Sequence, residues 1–476
     1  MIFPSVMLPM FIGIMDQTIV ATALPTIAAS LGNVNLIAWV VAGYLIATAI
    51  VAPVYGRLGD AFGRRRMMVV ALCVAIAGSA LCAFSGSIEM LIAARLLQGI
   101  GGGGLITLSH ALIGQSVAPR DRARYQGYIA TIAVTASTVG PVVGGLLTQN
   151  FGWRSIFLFN IPFLLVGMML VFRLPQRTTP FERFRFDFPG LLLLALFISS
   201  LLIFVQQTHR LQDTDLTLST ILVVTAAVSL TLLFLREQRA TSPLLPLPLL
   251  RNPNIWRCNM MAFSHGALFV SLISFIPIYM RAVRGASASE IGLFMVPMTI
   301  GVGVGSSIVG QLAGRTGRTT LFPSIGVPIA TALVLLLAVV ADSMPSIELS
   351  WYLGAVSFFL GSVMGIVQVT VQIESGKLLG TAVAALQLSR SLGAATGTAL
   401  VGTVLFAAIA ATGTEISSEL QAILQGSTSA LTELGEAATA AIRANVAVAF
   451  HSVYITIAAF GVITMLMAWT MPRRMI

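Results

Sequence analysis

The sequence predicts an all-α polytopic membrane protein with fourteen transmembrane helices, and three observations carry that prediction. Of 476 residues, 57% are hydrophobic and only 9% charged, with a mean hydropathy of +0.94. A soluble chain carries about 25% charged residues, so this composition cannot cover a folded surface facing water, and a soluble enzyme is excluded. The apolar residues also come in continuous runs, which excludes the alternating strands of a β-barrel. Finally, a membrane-spanning helix needs about 20 apolar residues. Fourteen of them need roughly 280, close to the hydrophobic share of the chain.

The runs fall at 3–29, 36–55, 67–86, 89–115, 125–149, 154–173, 188–208, 216–235, 256–280, 289–313, 321–341, 350–373, 380–411 and 449–471. Ala21-Thr22-Ala23 in the first run resembles a signal cleavage site. No basic residue precedes it, however, Asp16 interrupts it, and the run exceeds a signal h-region, so it reads as the first membrane helix. With the N-terminus inside, about 20 basic residues fall in inner loops against 5 in outer ones, Arg154, Arg210, Arg281, Arg284 and Arg443. That asymmetry sets the orientation, and the even helix count leaves both termini in the cytoplasm. The net charge of +10 and the pI near 10.4 follow from those loops. The charges are scattered between apolar runs, which is not a nucleic-acid footprint.

An internal repeat organises the chain. Gly56-Arg57-Leu58-Gly59-Asp60-Ala61-Phe62-Gly63-Arg64 follows the second run, and Gly310-Gln311-Leu312-Ala313-Gly314-Arg315-Thr316-Gly317-Arg318 follows the tenth. Both read G-x-L-x-x-x-x-G-R. The expected division is 6 + 2 + 6: residues 1–175 as one six-helix half, 176–255 as a linker with two inserted helices, and 256–476 as the second half. Basic or proline-rich stretches flank the insertion, with Pro243, Pro246, Pro248 and Pro253 on its far side. Repeated halves with a site between them are a transporter architecture. The segment 412–448 is the longest polar stretch and is expected outside, as a gate, a partner contact or an elongated thirteenth helix.

Few residues can carry chemistry. Cys73, Cys82 and Cys258 lie in or beside apolar runs, so neither a disulfide framework nor a metal cluster is indicated. Lys377 is the only lysine, but Val371 and Leu378 stand where a phosphate loop needs Gly and Ser/Thr. No cofactor is expected, and uphill movement would draw on an ion gradient or on another subunit.

Asp16 sits near the middle of the first run. A carboxylate at that depth is costly and marks a functional site by default. It can hold and release a proton as hydration changes, or it can tie two helices together. Arg95 lies about 9 Å into the fourth helix and needs an acid or carbonyls to offset a cost of about 2.5–3.5 kcal/mol or more. Gln98 is one turn on, on the same face. Arg390 is near mid-membrane with no acid in its own run, so it either attracts an anionic substrate, pairs with an acid from another helix, or caps carbonyls. His110, His265 and His451 are isolated and read as satisfied core histidines. Phe263, Phe269, Phe275, Tyr279, Phe294, Met295 and Met298 could line an apolar pocket or simply fill the core. Gly101 to Gly104 read as a packing groove.

Several stretches together resemble the fourteen-helix drug:proton antiporter family of the major facilitator superfamily. They are Met15-Asp16-Gln17-Thr18-Ile19-Val20-Ala21-Thr22-Ala23-Leu24-Pro25, the loop Gly56 to Arg64, Arg95-Leu96-Leu97-Gln98-Gly99, and Gly140-Pro141-Val142-Val143-Gly144-Gly145. Trp153-Arg154-Ser155-Ile156-Phe157-Leu158-Phe159-Asn160-Ile161-Pro162 and Arg390-Ser391-Leu392-Gly393 complete the set. The resemblance covers essentially the whole chain. It implies a major facilitator fold with inverted repeats, multi-pass in the bacterial cytoplasmic (cell inner) membrane, exporting amphiphilic drug-like compounds in exchange for protons by alternating access. Asp16, Arg95, Gln98 and Arg390 would couple proton and substrate. Gly56, Asp60, Gly63 and Arg64 would form an inner gate, asymmetric because Gly314 replaces Asp60 in the second repeat. Gly140, Pro141, Gly144 and Gly145 would shape a seal between the halves through close approach and a kink. Expected partners are a small amphiphilic substrate, protons and the lipid bilayer, with a periplasmic adaptor and an outer-membrane channel left open. Rival readings are an exporter of a defined anionic metabolite, fatty acid, lipid or siderophore, favoured by Arg390, and a non-transporting membrane sensor. An enzyme finds no nucleophile–base or metal constellation.

Overall fold

A computed structural model describes residues 2–32, 36–175, 186–208, 216–240, 242–411 and 435–471. Among them no β-strand occurs. The helices are α1 (Ile2–Ile19), α2 (Leu24–Leu31), α3 (Ile37–Phe62), α4 (Arg64–Ala83), α5 (Ile88–Ser116), α6 (Pro119–Phe151), α7 (Ser155–Phe172), α8 (Phe188–Thr208) and α9 (Leu216–Arg239). They continue with the short α10 (Leu247–Leu250), α11 (Pro253–Ala282), the short α12 (Ala288–Phe294), α13 (Val296–Thr316), α14 (Leu321–Val340), α15 (Ser346–Glu374), α16 (Leu379–Ala411) and α17 (Gly435–Thr470). By length and hydropathy these supply 13 spans, or 14 when the bent pair α1–α2 counts as one.

That pair differs from the single first helix expected. It bends by 63° between Ile19 and Leu24. Pro25, the second residue of α2, lacks an N–H, and in a continuous helix its ring would strike the carbonyl of Ala21. A second difference lies near the C-terminus. The last helix starts at Gly435, well before residue 449, and is longer than the sequence run suggested. Residues 412–434 of the expected outer segment lie outside the described residues, as do Arg177, Arg183, Arg185, Arg210, Arg473 and Arg474.

The burial pattern is that of a protein dissolved in lipid. Large apolar side chains such as Phe84, Phe151, Phe172, Val339 and Trp351 face outward, while Arg95, Asp16, Gln98, Asn160 and Ser79 are buried. Two cores are built separately, one from α1 to α7 around Met15, Leu72 and Phe157, the other from α11 to α17 around Leu272, Tyr279 and Phe450. A smaller cluster joins Ala49 of α3 and Leu388 of α16 to Leu194 and Ile198 of α8 and Leu233 of α9. The α8–α9 pair thus packs over the seam where α3 meets α16. The repeat has a structural counterpart, because Gly63 ends α3 at φ 95° and Gly317 ends α13 at φ 69°. Both sit at the same place in the repeated motif, and only glycine adopts that left-handed backbone freely.

Candidate functional site

The mid-membrane charges of the first core form one closed network. Arg95 Nη1 donates to Asp16 Oδ2 at 2.8 Å and to Gln98 Oε1 at 2.7 Å. Asp16 Oδ1 accepts from Asn160 Nδ2 at 2.6 Å and from Gln98 Nε2 at 3.0 Å. Gln98 Nε2 also donates to Ser79 Oγ at 2.9 Å, and Arg95 Nε to the Val40 carbonyl at 3.2 Å. The guanidinium lies 4.2 Å from the centre of the Tyr44 ring, a cation–π contact, and the Tyr44 hydroxyl donates to Gly13 O at 3.0 Å. Arg95 is 0% and Asp16 3% exposed. A buried pair holds only when its remaining donors and acceptors are satisfied, and here five helices supply them. Every partner of the Asp16 carboxyl is a donor, so an added proton finds no acceptor among them and weakens the charge-assisted bonds. Asp16, Arg95 and Gln98 are therefore brought together, a pairing the sequence left open. Asn160, Ser79 and Tyr44 complete the cluster; Asn160 stood in a matched stretch without a role, and Ser79 and Tyr44 were not singled out by sequence. The available signal was a lone Asn in the otherwise apolar α7.

Asp60 stands at a different end of the molecule. Its carboxylate accepts from the Gly380 N–H at 2.8 Å, the Thr381 N–H at 2.8 Å and the Thr381 hydroxyl at 2.9 Å. It also pairs with Arg64 at 2.6 Å. Asp60 thus caps the first turn of α16, where free N–H groups and the positive end of the helix dipole favour an anion. Gly56 allows this approach, since a Cβ there would meet the Gly380 carbonyl at 2.6 Å. Further cross-links on this side run from Gln372 Nε2 to His110 O at 2.9 Å and from Arg122 Nη1 to Gln372 O at 3.3 Å. On α6, Ala123 and Gly127 pack on Gly310 and Ser306 of α13. The Asp60 side is closed.

Above that closure a cavity of about 610 Å³ lies between α3 and α5 on one side and α11 and α16 on the other. Gln17, Leu45, Thr48, His265, Phe269 and Arg390 line it, and α8 contributes Leu202, Val205 and Gln206. This is the size of a small-molecule site. Asp16 does not line it, although the next residue, Gln17, does. Arg390 has not found the acid that sequence left open, and among the described residues it forms no ion pair and its buried Nε has no partner. Of the aromatic and methionine residues considered on the ninth and tenth helices only Phe269 faces the cavity; Phe275, Tyr279, Phe294 and Met298 are core. His110 meets Gln126 at 3.0 Å and His451 meets Asp342 at 3.1 Å. His265 meets the Leu360 carbonyl at 3.2 Å.

The glycine motif of α6 packs differently from expectation. A Cβ at Gly140 would collide with Thr18 Oγ1, and one at Gly144 with the Ile19 carbonyl and, at 2.6 Å, Thr22 Oγ1. These glycines seat α6 on α1 just past Asp16 and just before the bend, within the first core rather than across the halves. Gly145 meets nothing within 4 Å, and α6 runs unbroken through Pro141. Gly101 to Gly104 do form a packing groove, with Gly101 against Ala75 and Gly102 against the Tyr44 ring.

The family model of the Major Facilitator Superfamily matches residues 6–398. An uncharacterized MFS-type transporter of Mycobacterium tuberculosis is 33% identical over 406 residues, covering 84% of this chain, and the chain spans 58% of that relative's length. Multidrug transporter protein MdtP of Bacillus subtilis is 29% identical over 406 residues, 85% of this chain and 75% of the relative. Among solved structures, the human organic anion transporter MFSD10 superposes with a TM-score of 0.62 at 17% identity, over 95% of this chain and 98% of that one. The proton:xylose symporter XylE superposes with a TM-score of 0.61 at 14% identity, over 99% and 96%. These two likenesses speak for the fold alone. With a buried charge network, a central cavity and a family match across most of its length, the chain belongs to the major facilitator superfamily, a family of membrane transporters.

Proposed function

We propose that the protein is a proton-coupled exporter of amphiphilic compounds, working by alternating access between two six-helix halves in a bacterial cytoplasmic membrane. The observation that carries this reading is the Asp16 network. A carboxylate 3% exposed joins α1 to α5 and α7 through Arg95, Gln98 and Asn160, one residue away from a cavity-lining side chain. A proton arriving at Asp16 neutralises the charge that holds Arg95, Gln98 and Asn160, which loosens α1 from its neighbours. The segment that follows is the bend before α2, gripped by Gly140 and Gly144. Movement there reaches Gln17 and the cavity wall. Conversely, Asp60 capping α16 holds the cytoplasmic side closed while substrate leaves on the other side. Each proton entering down the potential contributes about 2.3 kcal/mol per 100 mV. The names of relatives, a multidrug transporter and a multidrug resistance protein, support export of amphiphiles.

Drug susceptibility of cells with and without the gene, with an uncoupler control, tests the reading. Expression should lower susceptibility to amphiphilic compounds, and the uncoupler should abolish the difference. A difference that survives collapse of the proton gradient would contradict it.

A further inference from the structure

We infer that the central cavity binds amphiphiles with an anionic head group, held by Arg390 and His265, in preference to the corresponding cations. This deepens the export reading by naming a substrate class, and it rests on that reading only for the direction of movement.

The wall of the cavity is electrostatically one-sided. Among its lining residues there is no Asp or Glu, and Arg390 is the one full charge. Asp16, next in sequence to the cavity-lining Gln17, is itself buried in the first core and already paired with Arg95 at 2.8 Å. The Arg390 charge is thus left uncompensated, its Nε buried with no acceptor. Placing a cation beside it raises the energy of both charges. Placing a carboxylate, sulfonate or phosphate there compensates the charge and accepts a charge-assisted hydrogen bond from the guanidinium.

His265 supplies the second half of the head-group site. Its Nε2 faces the Leu360 carbonyl at 3.2 Å, and a carbonyl can only accept, so Nε2 carries the hydrogen. In the neutral ring Nδ1 is then an acceptor, and it is buried without a partner. The pair therefore offers a cationic donor on α16 and a neutral acceptor on α11, on two residues that line one cavity. A head group combining anionic oxygens with an adjacent O–H or N–H fills both. The remaining wall is largely apolar, with Leu45, Val205 and Phe269 placed to take a hydrocarbon or aromatic body. Phe269 stacks on the His265 ring at 5.8 Å, which fixes the imidazole plane. The inserted α8, through Leu202 and Val205, closes this apolar side.

The test uses the purified full chain in zwitterionic lipid nanodiscs and two fluorescent probes with the same body. One is dansyl-labelled undecanoate; the other carries a trimethylammonium group in place of the carboxylate. Wild type should bind the carboxylate probe about tenfold or more tightly than the cationic probe, the size of a lost charge-assisted hydrogen bond. Arg390→Gln should erase that preference by weakening the carboxylate probe and relieving the repulsion on the cationic one, and Arg390→Lys should keep most of it. Equal binding of the two probes by wild type, or tighter binding of the cation, would overturn the inference with no variant needed. An equal loss for both probes in Arg390→Gln would overturn it as well. Export is read separately, as gradient-driven movement of the bound probe in proteoliposomes. A bound anion that does not move refutes export and leaves the site intact.

Discussion

Replacing Asp60 by Asn tests the gate with a magnitude that the structure supplies. The carboxylate now makes three hydrogen bonds to the start of α16, at 2.8, 2.8 and 2.9 Å, and one ion pair with Arg64 at 2.6 Å. Asn retains a single oxygen, which can accept from one of the two backbone N–H groups. Its NH2 then faces a donor. The charge that favours the N-terminal end of α16 is also gone, worth about 0.3–1 kcal/mol and up to about 2 where partly buried. Hydrogen bonds to a charged group contribute about 1.5–3 kcal/mol each. Some of this loss is recovered by water once the side opens, so a net bias of about 2–4 kcal/mol toward opening is expected. That corresponds to a shift of about thirty- to several-hundred-fold in the ratio of open to closed. Spin labels at Ala118 and Lys377, exposed on this side and on opposite halves, report it by pulsed dipolar distance measurement. Asp60→Asn should add a longer-distance population and cut transport, at normal levels in the membrane. An unchanged distance distribution with reduced transport would refute the gating role, and loss of the protein from the membrane would assign Asp60 to folding instead.

Three other outcomes are expected. Gly144→Val should lower stability or abolish transport, because its Cβ would collide with the Ile19 carbonyl, a backbone atom that cannot rotate away; overpacking of this kind costs about 1–3 kcal/mol or more. Gly145→Ala, with nothing within 4 Å, should be neutral in the same thermal-melt and transport assays. Arg95→Gln alone should destabilise by about 3–5 kcal/mol, the usual result of removing one partner from a buried pair, whereas Asp16→Asn/Arg95→Gln should recover part of that stability in a thermal-unfolding cycle without recovering coupled transport. Cysteines at Ser343 and Lys377, which are exposed at opposite ends of the bundle, should be labelled from outside and from inside respectively, and the reverse pattern would invert the topology.

The spans were legible because a helix in lipid needs only length and continuous hydrophobicity, which local sequence displays. The bend after Ile19 was not, since Val20 to Ala23 keep the apolar run intact and only Pro25 hints that the backbone cannot stay helical. Asp16 and Arg95 each announced themselves as intramembrane charges. Their pairing depends on how α1 and α5 pack, 79 residues apart in sequence, which no local pattern encodes. Asn160 shows the same limit. It reads as one polar residue in an apolar helix until α7 brings it to Asp16. The glycines of α6 displayed close packing but not its partner, and the partner proved to be α1. Arg390 was open in sequence between an anionic ligand, an acid from another helix and carbonyl capping; geometry shows no acid paired with it among the described residues and places it on a cavity wall.

Proton coupling through Asp16 is the central claim, and it is tested most directly by substrate-induced proton release from energised proteoliposomes. Wild type should release protons when substrate is added to a preformed gradient. Asp16→Asn keeps the shape of the side chain but cannot exchange a proton, so it should give no release while remaining folded and, by the dansyl probe, still binding. Undiminished release by the Asn variant would contradict the claim and assign the proton to another group.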